Sequence, residues 1–134
     1  MTTTLSLPAT LFAAGLLGLL AVLLASHISV LRMRHKISLG DGENRVLLRA
    51  VRSHANLTEW APLFLVLLLA WELSGATGVV GWLACGGFVL GRVLHAIGLY
   101  RRTFTRERQL GALLSYLGVA LLGVALLLRA GGSV

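Results

Sequence analysis

Four long apolar runs dominate the chain, and their length constrains the fold more than any other feature of the sequence. An α-helix rises about 1.5 Å per residue, so about 20 mainly apolar residues cross the hydrocarbon layer of a bilayer. The runs predict membrane-spanning helices at residues 5–31, 46–73, 77–99 and 108–128. We therefore predict one all-α domain, residues 1–134, that folds as an integral membrane four-helix bundle.

The composition excludes an ordinary soluble domain. Charged residues make up 13% of the chain, whereas about a quarter of the residues of a soluble domain are charged. The N-terminal run lacks a basic start and is longer than the apolar part of a secretory signal peptide, so we interpret it as the first span. The net charge of +7 comes mainly from bases between the spans, which indicates membrane topology and no nucleic-acid partner.

The loops predict the orientation in the membrane. Lys and Arg residues gather in the first loop, RMRHKISLGDGENR, and in the third, YRRTFTRER, while the second loop, SGATG, is uncharged. By the positive-inside tendency, both basic loops are cytoplasmic and both termini face outward, with Arg129 opposing this slightly. The expected location is the cell inner membrane, as a multi-pass protein.

The second span begins with a polar stretch that a lipid-facing helix would not carry. At about 100° per residue, Arg45, Arg49, Arg52, Asn56 and Glu59 fall within an arc of about 80°. An arginine at the bilayer centre costs about 2.5–3.5 kcal/mol, so this stripe faces other helices, a partner subunit or a watery cavity. We expect Glu59, the deepest member, to pair with an arginine. An ion-pair network that only holds helices together is the alternative interpretation.

The third and fourth spans add polar groups at the same end. Arg92 and His95 share a helix face, and Arg106 and Arg108 open the fourth helix. Guanidinium groups match carboxylates bidentately, so the predicted ligand is small and polar and carries several carboxylates. The apolar helices could admit a lipid-soluble second molecule, which suggests conjugation at the membrane surface.

Other polar residues carry less information. Glu72, beside the tight second loop, is interpreted as a solvated helix end, and Cys85 as a buried small hydrophobe. The histidines have no metal-ligand spacing, so we predict no metal. Glycines in the third and fourth spans indicate close helix packing. These are Gly86, Gly87, Gly91, Gly98, Gly111, Gly118 and Gly123.

The stretch ENRVLLRAVRSHANLTEWAPLF resembles the second-helix signature of the MAPEG family, the membrane-associated proteins in eicosanoid and glutathione metabolism. The matching residues are Arg49, Arg52, Asn56, Glu59 and Pro62. GRVLHAIGLY resembles the third-helix segment of the family, and RERQLG resembles the start of its fourth helix. The resemblance covers nearly the whole chain.

This resemblance implies a homotrimer of four-helix subunits, with glutathione bound between neighbouring subunits near the cytoplasmic face. It implies glutathione as a co-substrate that is conjugated to lipophilic electrophiles or used to reduce lipid hydroperoxides. The implied glutathione-binding residues are Arg49, Arg52, Asn56, Glu59, Arg92 and His95. Arg108 matches the arginine that stabilises the glutathione thiolate, because a nearby guanidinium lowers the pKa of a thiol and the thiolate is the nucleophile.

The chain departs from the family pattern at two positions. Leu99 stands where an aromatic hydroxyl is expected, with Tyr100 one step out of phase, and Ala112 stands where some members have a tyrosine. The leading hypothesis is a membrane-bound glutathione-dependent transferase or peroxidase. The alternative is a non-catalytic MAPEG-like scaffold that binds an anionic lipid or metabolite. A small transporter subunit is the least favoured, because the polar groups cluster at one side of the membrane.

Overall fold

The computed structural model describes residues 6–76, 78–102 and 104–132. Its helices are α1 (Pro8–His35), α2 (Arg45–Leu73), α3 (Val79–Arg101) and α4 (Arg106–Ala130). All four are long and apolar enough to cross a membrane, which confirms the predicted all-α architecture with four spans. The predicted starts at residues 5 and 77 lie outside the described residues. Helix α1 continues past the predicted end at residue 31, because its last, basic turn extends beyond the apolar run.

The polar and apolar halves of the second span form one continuous helix, as the length argument required. Asn44 caps its start, and the Asn44 side chain accepts hydrogen bonds from the backbone N–H groups of Val46 and Leu47 at 2.9 and 3.1 Å. The helix continues through Pro62 to Leu73. An unbroken α2 keeps the predicted stripe on one face from the first turn into the membrane.

Helices α3 and α4 pack closely along a glycine seam that consists of Gly91, Gly98, Gly111 and Gly118. A Cβ atom on Gly111 would lie 2.5 Å from the carbonyl oxygen of Gly91 and 2.5 Å from the backbone nitrogen of His95. Only glycine permits this approach of two backbones. The seam fixes the start of α4 against the part of α3 that carries His95. A Cβ on Gly86, Gly87 or Gly123 meets open space, so close packing, which was expected for most of the seven glycines, is confirmed at the four of the seam.

The end of α2 and the second loop hold the start of α1 and the end of α4 together at one end of the bundle. The Glu72 carboxylate accepts hydrogen bonds from the backbone N–H groups of Ala9 and Thr10, each at 3.0 Å. Arg129 donates from Nε and Nη2 to the carbonyl oxygen of Ser74, at 3.2 and 2.6 Å. The first and third loops lie at the opposite end, where Arg49 Nη1 donates to the carbonyl oxygen of Arg101 at 3.1 Å. That this basic end faces the cytoplasm stays a prediction.

The interpretation of Glu72 as a solvated helix end is wrong. Its side chain is only 7% exposed. Helix α1 begins with free N–H groups and the positive end of its dipole, and its own N-cap residue, Leu7, provides no side-chain cap. The Glu72 carboxylate, from α2, accepts hydrogen bonds from these N–H groups instead.

The apolar core fills the half of the bundle next to the second loop. Phe64 and Phe88 stack with ring centroids 3.9 Å apart, and Leu68 and Leu122 are fully buried around them. Cys85 is buried and unoxidised, as predicted. The buried core ends at Leu57, directly beside Asn56 of the polar stripe. The basic half of the bundle is therefore left free to form a polar site.

Candidate functional site

A cavity of about 320 Å³ opens at the basic end between α2, α3 and α4. Its lining residues are Arg45, Leu48, Arg49, Arg52, Asn56, His95, Leu99 and Arg108. Half of this lining is arginine, and two leucines supply an apolar patch. The volume lies at the lower end of the range of small-molecule sites, about 300–1,000 Å³. We name this space the arginine cavity.

The helical period of α2 builds one wall of the arginine cavity, as the stripe predicted. Arg45 and Arg52 are exposed at its mouth, while Arg49 is half-buried and donates from Nη1 to a carbonyl oxygen at the end of α3. The Nε atom of Arg49 is buried and has no hydrogen-bond partner among the described residues. The three guanidinium groups that α2 contributes to the lining, at Arg45, Arg49 and Arg52, suit an anionic ligand.

Arg92 lies beneath the arginine cavity and is not among its lining residues. Its side chain is 3% exposed, with the guanidinium carbon 5.4 Å from the centroid of the Phe88 ring. Nε donates to Ser115 Oγ at 2.9 Å, and Nη1 donates to Asn56 Oδ1 at 2.6 Å. The Ser115 hydroxyl in turn donates to the carbonyl oxygen of Gly111 at 2.8 Å. Arg92 thus fixes the Asn56 amide with its oxygen turned inward, which leaves the amide N–H donors for the cavity.

A second cavity of about 290 Å³ adjoins the first on the side of the third loop and α4. Its lining residues are Asn56, His95, Phe104, Thr105, Arg108, Gln109, Ala112 and Tyr116. We name it the tyrosine cavity. Asn56, His95 and Arg108 belong to both linings, so these three side chains form the wall where the two cavities meet.

Arg108 stands at this junction in the first turn of α4. Thr105 caps the helix, with its hydroxyl oxygen accepting a hydrogen bond from the Arg108 backbone N–H at 3.2 Å. The backbone of Gly98 lies against this turn, because a Cβ on Gly98 would be 2.5 Å from the Arg108 nitrogen. Arg106, the other candidate at this helix end, is exposed and lines neither cavity. The structure therefore favours Arg108 over Arg106 as the functional arginine.

A sequence profile of the MAPEG family matches residues 10–128, which is most of the chain. The chain belongs to the MAPEG family. Two similar relatives are both named inner membrane protein YecN, one from Escherichia coli strain K12 and one from Escherichia coli O6:H1 strain CFT073. Each is 35% identical over 98 residues, which cover 71% of this chain and 72% of the relative. The family resemblance of the second-helix signature is confirmed.

The MAPEG signature residues do not all reach the site. Arg49, Arg52 and Asn56 line the arginine cavity, whereas Glu59 is exposed outside it. In the described part of the chain, the ion pair predicted between Glu59 and an arginine is not present. The buried Arg92 instead donates to the amide oxygen of Asn56. Glu59 remains on a face of α2 that no helix of the same subunit covers.

Two further positions clarify how this MAPEG chain departs from its family. Leu99 is buried and lines the arginine cavity, while Tyr100 points toward α1, where its ring lies 5.6 Å from the His27 ring. The out-of-phase position of Tyr100 is therefore confirmed. The phenol near Arg108 comes from Tyr116, which the sequence analysis did not select. Its spacing was a usable signal, since Arg108, Ala112 and Tyr116 recur every four residues along one helix face.

Proposed function

We propose that the protein is a membrane-bound glutathione-dependent enzyme, a transferase or peroxidase that acts on lipophilic electrophiles. The observation that carries this proposal is the arginine cavity, which shares Asn56, His95 and Arg108 with a second cavity beside it. One compartment suits a polyanionic co-substrate, and we assign the second ligand to the adjoining one, whose lining combines polar side chains with Phe104 and Ala112. Two ligands that meet at an arginine are arranged for transfer between them.

Glutathione matches the donors of the arginine cavity. It carries two carboxylates, an ammonium group and a thiol, and guanidinium groups bind carboxylates bidentately. We assign the carboxylates to the guanidinium groups of Arg45, Arg49 and Arg52. The Asn56 amide binds a peptide carbonyl. Glu59, three residues further along α2 and outside the cavity, is assigned to the ammonium group of a glutathione that extends past Asn56 toward the exposed face of α2.

Arg108 is the residue that activates the thiol in this proposal. A guanidinium beside the sulfur favours the thiolate, and the positive N-terminal end of α4 adds to the effect. The thiolate sulfur then forms a bond to the electrophilic atom of the second ligand, and the electron pair of the bond that breaks leaves with the other fragment. His95, in the wall of both cavities, lies beside the reacting groups.

A homotrimer with the basic end in the cytoplasm completes the proposal. Glu59 is exposed on a helix that spans the membrane, and a carboxylate that faces lipid is unfavourable. A neighbouring subunit that covers this face of α2 removes that cost. It would also close the open side of the arginine cavity, where Arg45 and Arg52 are exposed.

We expect glutathione to raise the thermal unfolding temperature of the purified protein in detergent. A ligand at 100 times its Kd stabilises the folded state by about 2.7 kcal/mol. The variant Arg52→Ala loses a cavity guanidinium, so its protection at the same glutathione concentration should fall strongly. Arg102→Ala, which removes an exposed arginine outside both cavities, is the matched control and should be protected like the wild type.

Equal protection of Arg52→Ala and the wild type, or no protection of the wild type, contradicts the proposed site. The scaffold alternative has its own outcome. Protection that depends on Arg52, together with no loss of thiol when any electrophile is added, would favour a binding protein without catalysis.

A further inference from the structure

We propose that Tyr116 is a second catalytic residue, which donates a hydrogen bond to a substrate oxygen on which negative charge develops during glutathione transfer. The inference rests on the proposed function and deepens it by naming the electrophile class. The site prefers electrophiles whose charge moves onto oxygen, such as α,β-unsaturated carbonyl compounds, over those that release a halide ion.

The position of Tyr116 is the first support. Its side chain lines the tyrosine cavity, whose wall includes Arg108 and His95. Ala112, one turn before it on α4, also lines this cavity and contributes only a methyl group. The small side chain leaves space between the guanidinium and the phenol. A ligand in that space has the activating arginine at one end and the phenol at the other.

The state of the phenol is the second support. Among the described residues, the Tyr116 hydroxyl has no hydrogen-bond partner, and the residue is 50% exposed. The Trp60 ring packs against it with centroids 5.0 Å apart, which limits the positions that the ring can take. A phenol that is held in place but unpartnered is available as a donor to a ligand.

Tyr116 is the phenol of a site whose other lining donors are mainly N–H groups, at Asn56, His95, Arg108 and Gln109. The chain has two tyrosines, and the other one, Tyr100, packs against His27 on the far side of α3. Leu99 and Ala112 bring no hydroxyl to either cavity. The Thr105 hydroxyl oxygen accepts from the backbone of Arg108 as the α4 cap. Tyr116 is therefore the phenol that this site offers to an oxyanion.

The proposed step balances as a conjugate addition. The thiol proton passes to solvent when the thiolate forms beside Arg108. The sulfur bonds to the β-carbon of the unsaturated carbonyl compound, the C=C electron pair moves toward the carbonyl, and the oxygen becomes an enolate. The Tyr116 O–H stabilises that oxygen and keeps its own proton. A solvent proton then adds to the α-carbon, so the adduct contains all atoms of glutathione and the electrophile.

Substitution of a halide differs at one point. The carbon–sulfur bond forms as the carbon–halogen bond breaks, and the electron pair leaves with the halide ion. No oxygen gains charge, so the phenol has little to stabilise. If Tyr116 is catalytic, its loss slows only the reaction in which an oxygen gains charge. If Tyr116 is only structural, its loss damages the site and slows both reactions.

The test compares kcat/KM of the full-length protein for a long-chain 2-enal and for a 1-iodoalkane of equal chain length. In Tyr116→Phe we expect kcat/KM for the 2-enal to fall by about 10²-fold, the usual effect of losing one oxyanion donor, and kcat/KM for the iodoalkane to change by less than about twofold. Tyr100→Phe is the matched control and should leave both values unchanged. Tyr116→His, which keeps a ring N–H donor, should retain a larger part of the preference for the 2-enal.

If the wild type turns over glutathione, an equal loss of kcat/KM for both substrates in Tyr116→Phe, or no loss for either, overturns the role of Tyr116. A preference for the 2-enal that is as low in Tyr116→His as in Tyr116→Phe also contradicts it. If Tyr116→Phe fails to fold, Tyr116→His is compared with the wild type, and equal losses of kcat/KM for both substrates contradict the role. Failure of the proposed function itself gives a different result. In that case the wild type turns over neither substrate and glutathione gives no thermal protection.

Discussion

Replacing Arg108 by alanine should lower glutathione-dependent turnover by about 10²–10³-fold and abolish the ultraviolet absorbance of the thiolate that forms when protein and glutathione are mixed. The guanidinium lies in the wall shared by both cavities, where the sulfur and the electrophile must meet. Without it, the thiol keeps its proton at neutral pH and the nucleophile is scarce. Glutathione binding should weaken less than turnover, because Arg45, Arg49 and Arg52 are retained.

Stopped-flow absorbance with wild type and variant measures this effect directly. Arg106→Ala is the matched control, since Arg106 begins the same helix but is exposed and outside both cavities. Its thiolate signal should equal that of the wild type. An unchanged signal in Arg108→Ala, or an equal loss in Arg106→Ala, would remove the chemical role from Arg108.

Gly111→Ala should lower the free energy of unfolding by about 1–3 kcal/mol or more, the second large effect that we expect. The added Cβ would lie 2.5 Å from two backbone atoms of α3, at Gly91 and His95. Backbone cannot rotate away as a side chain can, so the helices must separate. Separation also moves the Gly111 carbonyl oxygen that accepts the Ser115 hydroxyl, and with it the support for Arg92.

Thermal unfolding in detergent tests the glycine seam. Gly123→Ala is the control on the same helix, because its Cβ would meet nothing within 4 Å. The variant Gly111→Ala should unfold at a clearly lower temperature than Gly123→Ala. Equal unfolding temperatures would show that the close approach of α3 and α4 is not required.

Local features of the sequence were sufficient to predict the spans and the polar face of α2. Span length depends on the thickness of the hydrocarbon layer, and the stripe depends on the helical period, so neither requires knowledge of the tertiary contacts. The arginine cavity follows from these two properties together. The predicted stripe members Arg45, Arg49, Arg52 and Asn56 all line it.

The sequence did not predict which side chains bind to residues on other helices. Glu72 looks like a helix end in water until the start of α1 is placed beside it. Arg92 was predicted to bind the ligand, but in the structure its guanidinium donates to Asn56 and Ser115. In both cases a side chain is satisfied by a residue more than 20 positions away in the chain, and periodicity contains no information on such partners.

The periodicity of the sequence also did not predict the surroundings of Glu59. Glu59 was expected to pair with an arginine, yet it is exposed on α2 and pairs with no arginine of the described residues. The cost of turning a charge toward lipid is the physical reason to expect a second subunit there. The homotrimer stays a proposal that rests on this argument and on the family.

An experimental structure of the purified protein with glutathione is the most direct test of the central claim. We expect density for the tripeptide in the arginine cavity, with its carboxylates against Arg49 and Arg52 and its sulfur beside Arg108. Glutathione bound elsewhere on the protein, with the arginine cavity filled by lipid or detergent at a saturating concentration of glutathione, would contradict it.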